Sequence, residues 1–166
     1  MLTKKRLNSK RKGNSAELEL SKLLTEHFDL TFSRVGVASG ARVKNTKLPE
    51  HAIGVMTGDL IVPSGFRFCV ECKAVNTEID LLAPSAQFDR WLLQVTDDAS
   101  SIGRLPMLCW KRHRRGWIAA VPSIMFGHEG NLPVYHTLYR EWLVCQLDAL
   151  LEVDDPKFWF IDETER

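Results

Sequence analysis

Asp59, Glu71 and Lys73 are the residues of this chain whose types and spacing could do chemistry. They lie in the run Gly58-Asp59-Leu60-Ile61-Val62-Pro63-Ser64-Gly65-Phe66-Arg67-Phe68-Cys69-Val70-Glu71-Cys72-Lys73. Two apolar, β-prone stretches flank Pro63-Ser64-Gly65, a pattern that predicts a β-hairpin. On its second strand Glu71 and Lys73 are two residues apart, so both side chains leave one face while Val70 and Cys72 point to the other. The hairpin brings Asp59, at the start of the first strand, beside Glu71. Two carboxylates at a sheet edge can hold Mg²⁺, with Mn²⁺ able to substitute; such a hard cation takes oxygen ligands and keeps several waters. The ion lowers the pKa of a bound water and draws in phosphate oxygens. A lysine on the same face stabilises developing charge or orients the water. The chemistry these parts could do is hydrolysis of a phosphodiester. An acid-x-Lys pair exposed on an edge strand is the plainer alternative, but charged side chains ending an apolar strand are costly without a purpose.

The surrounding sequence must supply the frame. Asn14 or Ser15 can cap a helix running to about His27, with Leu20, Leu23, Leu24 and Phe28 at helical spacing. A short strand is expected over residues 30–35. Residues 36–57 read as a long loop carrying Arg42, Lys44 and Lys47, and loops of that length in compact domains are usually functional or mobile. A second helix is expected from Ser85 to Asp97, where Phe88, Trp91, Leu92 and Val95 form one stripe. Leu105–Trp110 and Gly116–Val121 read as a strand pair joined by the basic turn Lys111-Arg112-His113-Arg114-Arg115. Tyr139–Leu151 reads as a helix, and the tail after Asp154 as irregular. This order predicts an α/β fold with a central mixed β-sheet flanked by helices.

A length of 166 residues favours one domain. No apolar stretch is long enough for a membrane span, and the basic N-terminus lacks the apolar segment of a secretory signal, so a cytoplasmic location is expected. The net charge of +1 hides an asymmetry. Residues 1–12 hold Lys4, Lys5, Arg6, Lys10, Arg11 and Lys12 and no acid, while acids crowd the C-terminal end. A basic arm of this kind either meets a polyanion such as nucleic acid or serves as a solubilising tail. Cys69 and Cys72 form a lone CxxC, which could be a redox pair or half a zinc site. No second pair completes a zinc site, and strand alternation puts the two thiols on opposite faces, so buried reduced cysteines are the simpler reading.

Taken together, these motifs resemble the PD-(D/E)xK nuclease superfamily, with Gly58-Asp59 in place of its PD element and Glu71-Cys72-Lys73 as its ExK element. More narrowly, the chain is similar to archaeal-type Holliday junction resolvases and their phage relatives. Lys12-Gly13-Asn14-Ser15-Ala16-Glu17 matches their KGxxxE opening. Arg34-Val35 followed by Ala38-Ser39-Gly40, and Pro106-Met107-Leu108-Cys109-Trp110-Lys111 with Gly116-Trp117, match later segments. The resemblance spans roughly residues 10–120; the interval from Ser39 to Asp59 is longer than usual, and the tail beyond about Val121 has no clear counterpart. It implies a restriction-endonuclease-like core at 13–125, a flexible arm at 1–12, and a C-terminal extension at 126–166 packed on the same domain. It implies Asp59, Glu71 and Glu17 as metal ligands or supports, Lys73 and Ser39 at the scissile phosphate, and Arg34 on DNA or at the site. Gln87 with Trp91 resembles the QxxxY-type element of some members. Phosphates would be met by Lys10, Arg11 and Lys12, by Arg42, Lys44 and Lys47, and by Arg112, Arg114 and Arg115. Branched four-way DNA is the implied partner and a homodimer the implied assembly, with Trp91, Trp117 and Phe126 as candidate dimer residues. Restriction, repair or flap endonucleases of the same superfamily, or an inactive DNA-binding module, are the alternatives.

Overall fold

The computed structural model describes residues 9–35, 57–75, 79–112, 116–127 and 132–161. Side chains of residues 9–11 and 112 are outside that description. Helix α1 (Ser9–Phe28) leads into strand β1 (Ser33–Arg34). Strands β2 (Leu60–Ile61) and β3 (Phe68–Val75) follow, then helix α2 (Ala86–Ser100), β4 (Leu105–Arg112) and β5 (Trp117–Pro122). A 3₁₀ turn at Ser123–Phe126 precedes β6 (Thr137–Tyr139), β7 (Trp142–Gln146) and the short helices α3 (Leu147–Leu151) and α4 (Pro156–Trp159).

The central sheet has the order β3-β4-β5-β7-β6. β3 and β4 are parallel, joined by α2 as the crossover, and the remaining pairs are antiparallel. The fold is therefore α/β with a mixed sheet flanked by helices, consistent with a restriction-endonuclease-like core. Both faces of β3 are covered. Leu20 and Leu24 of α1 share one apolar layer with Phe68, Val70 and Cys72 and with Trp159 of α4. Phe88, Leu92 and Val95 of α2 share the other with Leu108, Trp110 and Val144. Ser85 caps α2, its hydroxyl accepting from the Phe88 N–H at 3.3 Å, and the predicted stripe is the face that docks.

The tail expected to be irregular after Asp154 holds α4, capped by Asp155, and three further expectations give way. β2 does not form a ladder with β3: it pairs antiparallel with β1, Ser33 opposite Ile61 and Arg34 opposite Leu60. Helix α1 begins at Ser9, ahead of the expected cap, because the Asn14 side chain is occupied elsewhere: its Oδ1 accepts from Arg34 Nη2 at 2.9 Å. The segment expected as a helix from Tyr139 holds instead a tight turn, with Arg140 at φ 53°, and strand β7 in the centre of the antiparallel half. Trp142–Cys145 is a continuous apolar run because Leu143, Val144 and Cys145 are buried on both faces of the sheet, and periodicity alone cannot separate such a strand from a buried helix. The C-terminal residues thus supply two strands and a share of the core, including Leu143, Leu147 and Phe158. No helix among the described residues is long and apolar enough to cross a membrane.

Candidate active site

β3 is an edge strand, so half of its backbone groups need partners other than β4. The segment before β2 supplies them. The Asp59 N–H donates to the Val70 carbonyl at 3.0 Å, and the Cys72 N–H donates to Asp59 Oδ2 at 2.8 Å. N–H and C=O of one strand residue leave the same side, so the Cys72 carbonyl also faces this edge. Gly58 makes the approach possible. Its φ is 86°, and a Cβ there would lie 2.9 Å from both Cys69 Sγ and the Val70 oxygen. The glycine ahead of Asp59 is therefore a backbone requirement, one that proline with its negative φ could not meet.

Glu71 and Lys73 leave the opposite face from Cys72, under α2. Glu71 is only 3% exposed. Its Oε1 accepts from the Lys73 ammonium and, at 2.6 Å, from the Gln94 amide. Lys73 Nζ also donates to Gln94 Oε1 at 3.1 Å. Carboxylate, ammonium and amide thus form a closed triangle. From α1, Glu17 takes Arg34 Nε on its Oε2 at 3.2 Å.

The electrostatics follow from crowding. Burial first, then the charge of Glu71, pushes the Asp59 carboxyl up to about 7, against the Cys72 N–H and Lys73; Glu17 adds a smaller push. Burial also raises Glu71, opposed by Lys73. The Cys69 thiol is driven up to about 12 by burial and Cys72 higher still, and all four cysteines are free and buried. These are inert core thiols rather than a redox pair or zinc ligands.

The structure brings Asp59, Glu71 and Lys73 together, with Glu17 near enough for its charge to be felt by both acids. Among the described residues no three His, Cys, Asp or Glu side chains form a ready-made metal cage. Glu17 is engaged by Arg34 instead of completing such a set with Asp59 and Glu71. A half-buried and a buried carboxylate, both with raised pKa values, nevertheless suit a hard divalent cation, which needs one or two carboxylates beside waters and phosphate oxygens and would relieve their repulsion. Ser39, Arg42, Lys44, Lys47, Arg114 and Arg115 lie outside the described residues. Lys10, Arg11 and Lys12 fall in the first turns of α1, and Arg112 ends β4. Gln87 is exposed on α2 and does not reach the site; Gln94, seven residues on along the same flank, does. Trp117 and Phe126 are core residues, each 5% exposed, which removes them as dimer contacts; Trp91 is half-buried against the α2 layer.

This sheet, with Asp59 held at the edge of β3 and Glu71 and Lys73 on it, defines a PD-(D/E)xK nuclease. Residues 8–158 match the family described as "Phage putative PDDEXK endonuclease", and the chain belongs to that family. The match runs well past Val121, through the strands that complete the sheet. No curated protein and no solved structure matches the chain.

Gly58→Ala should lower stability by about 1–3 kcal/mol, from strain at positive φ and contact with β3 backbone, read as a shifted urea midpoint. Asp59→Asn should do the reverse in EDTA. A carboxyl whose pKa is raised on folding stays protonated in the folded chain at pH values where the unfolded chain has already ionised, so its cost is small near pH 4, grows as pH rises towards about 7 and is complete above that. The variant should gain about 1–3 kcal/mol over wild type at pH 8 and nothing at pH 4, and wild type alone should be further stabilised by Mg²⁺.

Proposed function

We propose that this chain is a Mg²⁺-dependent, structure-selective DNA endonuclease that incises four-way junctions as a homodimer, in the cytoplasm of a phage-infected host. The observation that carries the reading is the convergence of Asp59, Glu71 and Lys73 on one sheet edge within a PD-(D/E)xK endonuclease family. Asp59 and Glu71 would hold the cation, with the Cys72 carbonyl as a further oxygen on the same edge. When bound, the ion supplies an acidified water and charge neutralisation. Lys73 orients the attacking water and meets negative charge gathering on the phosphate oxygens. Gln94 holds both Glu71 and Lys73 in place, so it is a positioning residue. Glu17, tied to Arg34, supports the acids from α1, and Ser39 would stand near the scissile phosphate. Water attacks phosphorus, the P–O3′ bond breaks, and the leaving oxygen takes up a proton, so the products are a 5′-phosphate and a 3′-hydroxyl.

The preference for branched DNA rests on charge. The cations Lys10, Arg11, Lys12, Arg42, Lys44, Lys47, Arg112, Arg114 and Arg115 offer phosphate contacts with little base selectivity, as suits an enzyme that reads shape. The test compares wild type, Asp59→Asn and Lys73→Ala on labelled four-way junction, flap and linear duplex, with and without Mg²⁺. Paired symmetric nicks on the junction, reduced about 10²- to 10⁴-fold in both variants with DNA binding retained, are expected. Equal cutting of all three substrates would remove the junction preference and keep the nuclease. No cutting with Mg²⁺ or Mn²⁺ would leave a DNA-binding module. Gln94→Ala should lower kcat about tenfold with KM within twofold, the pattern of a group that orients the reacting residues without contributing to ground-state binding.

A further inference from the structure

We infer that the pocket at the β5-β7-β6 end of the sheet is a nucleobase site, which takes an unpaired base of the DNA strand being cut. The inference rests on the nuclease reading above and adds a second contact to it.

The pocket has a volume of about 440 Å³, within the range of small-molecule sites. Leu81 and Ile118 are apolar walls, while Gln146, Thr137 and His136 bring donors and acceptors. Among the described residues lining it there is neither an acid nor a lysine or arginine, so it suits an uncharged planar ring better than a phosphate. Tyr135 stands at its mouth, 92% exposed and at φ 57°. Bulky residues rarely adopt that backbone conformation, and a large ring held out in water is the arrangement on which bases stack.

Position ties the pocket to the site. Register partners run Lys73, Trp110, Ile118, Gln146 across β3, β4, β5 and β7. Cross-strand partners share a face, so Lys73 and the pocket floor lie on the same side and at the same level of the sheet, with α2 seated on Trp110 between them, and a strand joining the two must pass round that helix. Three strand spacings separate Lys73 from Gln146, about 14 Å. That is about four steps of stacked DNA at 3.4 Å each, and fewer where the strand is unstacked. A base can enter only if unpaired or flipped; unpaired bases distinguish flaps and forks from plain duplex, and at a four-way junction, whose arms are paired, the base would have to be flipped at the exchange point.

The test measures binding of the full chain in Ca²⁺ to a fork with an unpaired strand, to the same fork with an abasic nucleotide placed one to five positions from the cut, and to plain duplex. Tyr135→Ala should weaken binding to the fork about 5- to 100-fold, with duplex binding within twofold, and Tyr135→Phe should restore it. At one abasic position the wild type should lose as much, and Tyr135→Ala should lose nothing further. Equal weakening on fork and duplex, or additive losses at every position, would overturn the pocket while leaving nuclease activity, measured separately in Mg²⁺, to stand. Unchanged fork binding with loss of a concentration-dependent dimer would make this face a protein interface instead. Wild type that neither cuts nor binds DNA would overturn both readings.

Discussion

The structure depends on burying one carboxylate. Glu71 lies at 3% exposure on a strand covered from both sides, and an isolated buried charge would cost several kcal/mol or give up its ionisation. Lys73, two residues along the same face, supplies the countercharge, and Gln94 occupies the remaining reach of both. Gln94 can do so only because Phe88, Leu92, Val95 and Ala99 seat α2 on the sheet at one rotation. The compensation is incomplete. Burial, and after it the charge of Glu71, raises the Asp59 carboxyl, and Asp98 and Glu17 add to the push on Glu71. An apolar core would not tolerate that remainder without a use for it, which is why the site reads as a place for a cation and a phosphate rather than as a structural ion pair.

Much of this was legible in sequence, and the reason is periodicity. Strand alternation put Glu71 and Lys73 on one face, helical spacing gave α2 its docking stripe, and the order of elements gave an α/β sheet. What failed was decided by partners far away in the chain. β2 read as half of a hairpin because its neighbour in sequence was β-prone, yet it pairs with β1, and it is the segment ahead of it that bonds across to β3, through the Asp59 N–H and carboxylate. Trp142–Gln146 read as helix because its buried residues, Leu143 to Cys145, lie on both faces and leave no alternation to show. Gln94 was passed over for Gln87, although both lie on one flank of α2; the deciding question was which of them stands over Glu71, and that needs the position of α2 along β3.

The glycine before Asp59 carries a related lesson. By resemblance it was a tolerable replacement for proline. In the structure it is the reason Asp59 reaches β3 at all, since its positive φ and missing Cβ let the chain run against the Val70 carbonyl. A proline would have to approach by another path, so the motif letter matters less than the distance it allows between two backbones.

An open edge strand is usually a hazard, a row of unpaired donors and acceptors ready to recruit another chain. Here β3 is quieted without a further strand. One backbone bond from Asp59 and one bond to its side chain satisfy Val70 and Cys72. The carboxylate that closes the edge is thereby fixed a short reach from Glu71, and the Cys72 carbonyl is left pointing the same way. The hydrogen bonds that suppress edge pairing are the ones that assemble the acidic cluster. That economy also explains why the cluster sits at the rim of the sheet, where a double helix can reach it, while its second acid stays buried beneath α2.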